Sequence, residues 1–424
     1  MKALKTLFVI AAAMALPLAA SAADDWKFAL HGFVSVSGAY QDGNFGPSEG
    51  QQSIYTGAAR IGVDPATHKS VDPNSLTFDV RQSRFNFSVA GPTVLGGAQP
   101  MAVLEIDWFG GFGAGNYGDV SLTPRMRLAY SQLSWGDHML QLGQQNDLIF
   151  AQAPTSLSHI AFPLGYMTGN IGWRRPGIFG YHTFNLAQDT SLQFAWEVGR
   201  AQWADAATAF GGGTVNTTPL ATSQGFTLGE ASSMPAVEGR LTLAQKGLYS
   251  VWVAAHGQQT DLSGVGPNAP RGSTASQKLT TSAYAGGLKV TFAGATLAGV
   301  GFTGKNISPL IGQFLDFKYG AANTTDVAST GYWAQLGYNI TKEFSLWAFY
   351  GEQKPKEADA ILAAETRLGN KTTNVIAMYR DGGYGFSGEW IHFEDKVGTI
   401  AGGKVASSLN VNSNQYMLSA NYFF

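Results

Sequence analysis

The chain has 424 residues, no cysteine, and 27 basic against 29 acidic side chains, a formal charge of −2. This excludes disulfide staples, zinc–thiolate and iron–sulfur chemistry, and it lacks the basic excess of a nucleic-acid binder. Charged residues make up only 13% while aromatics reach 12%, too little charge for an ordinary soluble surface.

Lys2 and Lys5 precede the apolar run LFVIAAAMALPLAA, which ends in Ala20-Ser21-Ala22. A basic start, a short apolar run and a small-x-small site specify a secretory signal peptide over 1–22, cleaved after Ala22. No later segment reads as a spanning helix, because the longest apolar stretch, 290–304, is short and broken by glycine.

From residue 28 onward, segments of alternating apolar and polar residues recur. FALHGFVSVSGAY (28–40), SLTFDVRQSRFNFSVA (75–90), MAVLEIDWF (101–109), PRMRLAYSQLSW (124–135) and HMLQLGQ (138–144) come first, then a segment near 171–183. Segments 191–199, 236–244, 249–257, 281–292, 295–304, 331–340, 344–352, 372–381, 384–394 and 414–424 continue the pattern. That is about sixteen strands near ten residues long, the length a tilted strand needs to cross a bilayer. Short turns (WGDH, NLAQD, AQKG, FAGA, TKE, DGG) alternate with long segments at 41–74, 110–123, 145–170, 200–235, 258–280, 305–330, 353–371 and 395–413. The pattern predicts an all-β fold, a transmembrane antiparallel barrel over 23–424 with short periplasmic turns and long external loops.

On such a barrel one face of each strand meets lipid or a neighbouring subunit and the other meets a water-filled lumen. Met126, Leu128 and Tyr130 then point outward and Arg125 and Arg127 inward. Likewise Leu104, Ile106 and Trp108 point outward, with Glu105 and Asp107 inward. In the second strand the polar parity switches between Arg81 and Arg84, which a bulge near 82–84 would reconcile. Trp26, Phe28, Tyr40, Trp108, Trp135, Tyr384 and Tyr422 cluster at strand ends, as interfacial girdles require. The last strand alternates and ends on Phe424, as a signal for the barrel assembly machinery does.

The run FDVRQSRFNF…LEIDWFGG…PRMRLAYSQLSW…LQLGQQNDL (78–148) resembles Gram-negative sixteen-stranded porins, most of all the dicarboxylate-channel (DcaP-like) family. The resemblance implies a homotrimer of barrels in the outer membrane, among lipid and lipopolysaccharide. It also implies a pore narrowed by an inward-folded third external loop, here 145–170.

Candidate pore residues are the charges of lumen parity: Arg81, Arg84, Arg125, Arg127, Arg174, Arg240 and Lys289 against Asp79, Glu105, Asp107, Glu197, Glu238 and Glu389. Charge ladders in a narrow pore set ion selectivity, and arginine takes carboxylates bidentately. If the third and fourth strands pair about residue 116, Glu105 lies opposite Arg127 and Asp107 opposite Arg125, and the four fix register instead. In the loop, Asp147, Ser156, Ser158 and His159 are the polar candidates and Phe150, Phe162 and Tyr166 the bulky ones. With Asp147 its only acid, the transverse field should be weak.

GAGNYG (113–118) fits a dinucleotide fingerprint but lacks the strand-to-helix context, and GVGFTGKN (299–306) approaches a phosphate loop but ends in Asn where Ser or Thr is needed. The seven histidines have no metal spacing, and Ser158-His159 are adjacent, so no metal, cofactor or catalysis is expected. The functional expectation is a porin passing small anionic or neutral hydrophilic solutes with a mild anion preference. The alternatives are a channel specific for dicarboxylates or related acids, and a closed barrel serving adhesion or outer-membrane enzymology.

Overall fold

The structure, a computed structural model, describes residues 26–42, 74–110, 123–201, 232–261, 278–310, 318–319, 324–362 and 367–424. The signal peptide (1–22), the 113–118 motif and most of segments 41–74, 200–235 and 258–280 lie outside the described residues.

The barrel strands are β1 (Lys27–Gln41), β2 in two pieces (Ser75–Asp79 and Arg84–Ala90), β3 (Gln99–Asp107), β4 (Arg125–Trp135), β5 (His138–Asn146) and β6 (Arg174–Ala187). They continue as β7 (Thr190–Gly199), β8 (Ala236–Gln245), β9 (Tyr249–Asp261), β10 (Lys278–Phe292) and β11 (Ala295–Lys305). The last five are β12 (Ala328–Asn339), β13 (Phe344–Pro355), β14 (Arg367–Asp381), β15 (Tyr384–Ala401) and β16 (Lys404–Phe423). A short helix, α1 (Glu357–Leu362), follows β13. Each strand pairs antiparallel with the next, and β1 pairs with β16 from Phe33↔Phe423 to Gln41↔Gln415, which closes a sixteen-stranded barrel. Closure leaves no edge, so every strand has a hydrogen-bonded neighbour on both sides.

The alternation produces an inside-out distribution of side chains. In β16, Leu418 is 73% exposed between Met417 at 1% and Ser419 at 5%. Buried polar groups such as Gln335, Asn374 and Gln415 line the interior, while Tyr40, Tyr384 and Tyr422 stay exposed near the strand ends. This is the arrangement of a barrel solvated by lipid outside.

Three local features refine the sequence reading. β2 breaks at 80–83, where the Ser83 amide bonds the Val80 carbonyl (3.0 Å), so Asp79, Arg81 and Arg84 all reach the interior across the expected irregularity. The second corrects an expectation. Asp107 pairs with Arg125 and Ile106 with Met126, but Glu105 pairs with Leu128, which leaves Arg127 as an extra residue. One extra residue swaps the faces of everything below it. Met126 therefore stays outside, while Tyr130 hydrogen-bonds Gln145 and Gln132 accepts from Gln141 (2.8 Å) within the barrel. The third corrects the segment 395–413, which is a continued hairpin rather than a loop. Gly402 and Gly403 (φ +58° and +69°) make a two-residue turn, the conformation that suits the twist of a strand pair.

Gly143 pairs with Tyr130 at φ +137°, and a Cβ there would stand 2.2 Å from the Ala129 carbonyl oxygen. Gly143→Ala should destabilise the barrel by about 1–3 kcal/mol. The check is the temperature at which the folded, fast-migrating form is lost on gels, and an unchanged temperature would mean that the backbone relaxes freely.

Candidate functional site: the inward loop and its charged wall

Between β5 and β6 the chain runs through the barrel interior from residue 147 to 173, and its two ends are tied by a single carboxylate. Asp147 accepts from Trp173 N (2.8 Å) and from Arg175 Nε and Nη2 (2.8 and 2.9 Å). Burial alone would raise the Asp147 carboxyl, but the Arg175 guanidinium and the Trp173 amide hold it below its ordinary value. Arg175 also meets Glu197 (3.2 Å) and Glu238 (3.9 Å), and His256 Nδ1 lies 2.7 Å from Glu238. Carboxylate oxygens of Asp147, Glu197 and Glu238 lie within 4.8 Å of one another. Arg175 is bonded to Asp147 and lies against the other two, which makes the group a polar anchor built around one ion pair.

From that anchor the loop follows the inner wall. Ile149 N donates to Glu238 (2.9 Å), Gln152 to the Leu288 carbonyl (3.0 Å), and Thr155 N to Gln335 (2.7 Å), which donates back to the Thr155 carbonyl (2.8 Å). Glu389 accepts from Ser156 Oγ (2.8 Å) and from the amides of Leu157 (3.2 Å) and Ser158 (3.0 Å). Gln82 then donates to the Ser158 carbonyl (2.7 Å) and accepts from Ile160 N (2.9 Å) and Ala161 N (3.1 Å). The contacts thus pass from β8 through β10, β12 and β15 to β2. Leu157, Leu164 and Ile171 pack with Phe302, Trp333, Phe349 and Ile391 on the inward faces of β11 to β15. The return pass is close enough that a Cβ on Gly169 (φ +113°) would stand 2.1 Å from the Tyr332 carbonyl oxygen.

Opposite that apolar arc stands the charged wall of β2, β3 and β4. Asp107 accepts from Arg125 Nε (2.9 Å), Arg125 Nη2 (2.6 Å) and Arg127 Nη1 (2.9 Å). Glu105 accepts from Arg127 Nε (2.7 Å), with Arg84 at 3.7 Å. Arg127 and Arg84 also donate to the loop carbonyls of Ala161 (3.4 Å) and Ile160 (3.1 Å). The Arg125 guanidinium lies over Phe109, Phe162 and Trp173 at 4.9–5.6 Å. Asp107 lies beneath with no exposed side chain, whereas Glu105 keeps 12% beside Arg84 at 16% and Arg125 at 18%.

Six residues singled out from the sequence therefore meet: Arg81, Arg84, Glu105, Asp107, Arg125 and Arg127. Arg81 is held by Asp79 and lies over Phe109 (4.9 Å). Glu238 and Arg240 belong to the anchor side, where Arg240 donates to the Leu148 carbonyl (3.1 Å). Lys289 stands apart, exposed four residues from the turn between β10 and β11. Arg174 needs correcting. The inward face of β6 is Arg175, Phe179 and Tyr181, since Pro176 and Ile178 are exposed outside. Arg174 is buried at the strand entrance, 4.0 Å over the Trp173 ring. Asp147 likewise points into the wall, and it serves the anchor. Phe150 stacks on Tyr166 (6.0 Å), and Ser158 and His159 are buried against the wall. Sequence reasoning missed Arg175 and Gln82. The alternation of Arg175, Gly177, Phe179 and Tyr181 was the available signal for the first, and nothing local marks the second.

No protein-family model matches the chain, and no curated protein matches it. Solved structures do match. The outer membrane channel DcaP of Acinetobacter baumannii superposes with a TM-score of 0.66 at 15% identity, over 95% of this chain and 99% of that one. An anion-selective porin from Comamonas acidovorans gives 0.54 at 14% identity, over 94% and 100%. OmpF of Salmonella typhi gives 0.52 at 12%, over 95% and 99%. This chain has the porin fold.

Two outcomes test the seating of the loop within this porin fold. Asp147→Asn removes one carboxylate from a buried ion group, at a cost of about 3–5 kcal/mol. Amide exchange across 148–172 should accelerate at least tenfold while the strands keep their protection. The second concerns pH. Burial pushes His159 down to about 4 although Glu389 pulls it up. The unfolded or undocked chain then binds more protons than the docked one below the ordinary histidine value of about 6.5. Docking is therefore fully stable above about pH 6.5 and loses stability as pH falls toward 4. Intrinsic-rate-corrected exchange at residues 155–162 should rise across that window, and His159→Gln should flatten the rise.

Proposed function

We propose that this chain is an outer-membrane porin for passive diffusion of small hydrophilic solutes, with a mild anion preference, and that it carries out no catalysis. The fold shared with DcaP, the Comamonas porin and OmpF supports the porin reading. The orientation of charge at the loop supports the preference. Three guanidinium groups (Arg84, Arg125 and Arg127) share two carboxylates, Glu105 and Asp107, and Asp107 is fully buried behind them. At the Arg125–Asp107 pair a solute crossing this level meets the arginine side first, and the surplus of guanidinium over carboxylate on this wall attracts anions. Asp147 spends its charge on Arg175, so no acidic loop edge opposes the arginines across the lumen, and the preference stays mild.

Export by the 1–22 signal peptide and insertion through the strand ending at Phe424 belong to the same reading, as does a homotrimer. The outer faces of β1, β2 and β3 carry an apolar hollow bordered by Phe28, Leu30, Phe87 and Leu104, a surface that a neighbouring barrel would cover. Use by dicarboxylates or related acids is a second reading, favoured by the arginine pair Arg84 and Arg125, whose forks match carboxylate geometry.

Reconstituted protein in a planar bilayer should open and should reverse on the anion side under a salt gradient. Arg125→Gln and Arg84→Gln should each lower the anion-to-cation permeability ratio roughly twofold, scaling with the charge removed. An unchanged ratio in both would sink the arginine assignment. Blockage by a dicarboxylate but not by its diamide would favour the second reading.

A further inference from the structure

Below the inward loop, toward the short turns, three basic side chains face the lumen with no carboxylate opposite them. Arg240 on β8 pairs across the sheet with Ala254, and Lys289 on β10 pairs with Ala298, both alanines of the interior. Arg380 on β14 lies two residues beyond the interior Met378, with its guanidinium over the Phe423 ring (5.0 Å). Among the described residues, none of the three makes an ion pair. Arg240 uses one donor on the Leu148 carbonyl (3.1 Å), and its Nε is buried without a partner. Lys289 and Arg380 are exposed. The lumen acids sit higher and are engaged by the loop and its anchor. Glu197 meets Arg175, Glu238 meets His256 and Ile149 N, and Glu389 meets Ser156 and Ser158 N. Between these carboxylates and the turns, none of the described strand residues facing the lumen is acidic. At the mouth itself, Asp137 is held by Asn185 (3.2 Å) and Glu343 by Lys342 (3.1 Å), while Asp189 and Asp381 are exposed to solvent.

We propose that the periplasmic half of the lumen is an anion-collecting vestibule, a second selectivity stage set by Arg240, Lys289 and Arg380 and separate from the arginine wall. The inference rests on the porin reading, which assigns the short turns to the periplasm. The charge balance of the two levels differs. On the wall, three guanidinium groups face two carboxylates, so most of their charge is cancelled within the protein. Below the loop the basic groups keep theirs. Their spacing decides what they recognise. Arg240 and Lys289 stand two strands apart, roughly 10 Å, and their partners on β9, Ala254 and Ser250, are four residues apart, roughly 13 Å. Arg380 stands four strands beyond Lys289. No single small ligand bridges such distances, so the three act through their summed field, which low-dielectric walls focus into the lumen. The vestibule therefore selects for sign and not for shape, and its ligands are small mobile anions. Screening limits its reach to about 10 Å at 0.1 M salt, so the stage weakens as salt rises.

The test reads the local potential with a thiol. The chain has no cysteine, so Thr242→Cys places a single one in the vestibule, at a half-buried position beside Gln193 and Trp252 on the turn side of Arg240. Its reaction rates with an anionic (sulfonatoethyl) and a cationic (trimethylammonium-ethyl) methanethiosulfonate are measured on folded protein in detergent at low salt. The ratio of the two rates cancels the thiol's own reactivity. It should exceed the ratio for the same thiol in the urea-unfolded chain by roughly fivefold, and molar salt should abolish the excess. Lys289→Gln/Arg380→Gln, which breaks no bond of the loop, should lower the ratio about twofold, and adding Arg240→Gln should remove the remaining excess. Lys371→Gln, on the outer face at the external end, should leave it unchanged. A folded-state ratio equal to that of the unfolded chain, or one untouched in the triple variant, would overturn the vestibule even in a protein that conducts. The readout is independent of conductance, so a silent bilayer with the ratio intact would sink the porin reading alone and leave the charged compartment standing.

Discussion

A strand in hydrocarbon has no water to satisfy its amides, so the barrel stands or falls on the pairing of its first strand with its last. Here that seam runs from Phe33↔Phe423 to Gln41↔Gln415 and is extended by mutual bonds between Gly32 and Phe424 (3.0 Å each way). Gly32 carries no side chain where a Cβ would stand 2.2 Å from the Arg84 carbonyl oxygen. The seam and the irregular second strand are therefore packed against each other at their closest point. With the circle closed, strand alternation assigns every other residue to lipid and leaves the remainder to furnish the interior.

The interior is asymmetric because its two arcs are chemically different. From β9 to β15 the inward positions are largely small or apolar, with Trp252, Ala254, Ala283, Ala285, Val300, Phe302, Trp333 and Phe349 among them, and the loop buries its own apolar side chains there. From β2 to β4 the inward positions beside the loop are arginines and acids. Two irregularities aim them: the break at 80–83 turns both Arg81 and Arg84 inward, and the extra residue at 127 lets Arg127 span Glu105 and Asp107 together. A regular ladder would present one arginine per acid. The bulge produces a shared network, and buried charges need such sharing to offset their desolvation.

Much of this was legible in the sequence because a barrel is written in period two with punctuation. Strand existence, the alternation of short and long connections, and the pairing of Asp107 with Arg125 follow from counting residues across a turn. Counting fails where an extra residue enters. Nothing around Arg127 marks it as the bulge, so Tyr130 reads as lipid-facing although it turns inward. Arg175 was obscured by its neighbour, since two adjacent arginines leave the parity of β6 ambiguous until Phe179 and Tyr181 decide it. The partners of the loop were beyond sequence reasoning altogether, because Gln82, Gln335 and Glu389 lie on strands far apart in the chain and meet the loop only in three dimensions.

The hydroxyl groups near the seam tie the loop to both of its strands. Ser158 of the loop bonds Ser419 of β16 (2.8 Å), Ser419 bonds Ser37 of β1 (2.7 Å), and Gln82 of β2 reaches both Ser37 (3.3 Å) and the Ser158 carbonyl (2.7 Å). Asn421 adds a bond to the Leu157 carbonyl (3.3 Å). The loop thus lies across the inside of the join between the first strand and the last, touching both flanks. A segment so placed braces the join from within, so that opening either flank of the seam also strips the loop of its partners there. The two strands farthest apart in the chain are thus held together twice, once by their own backbones and once by the filling.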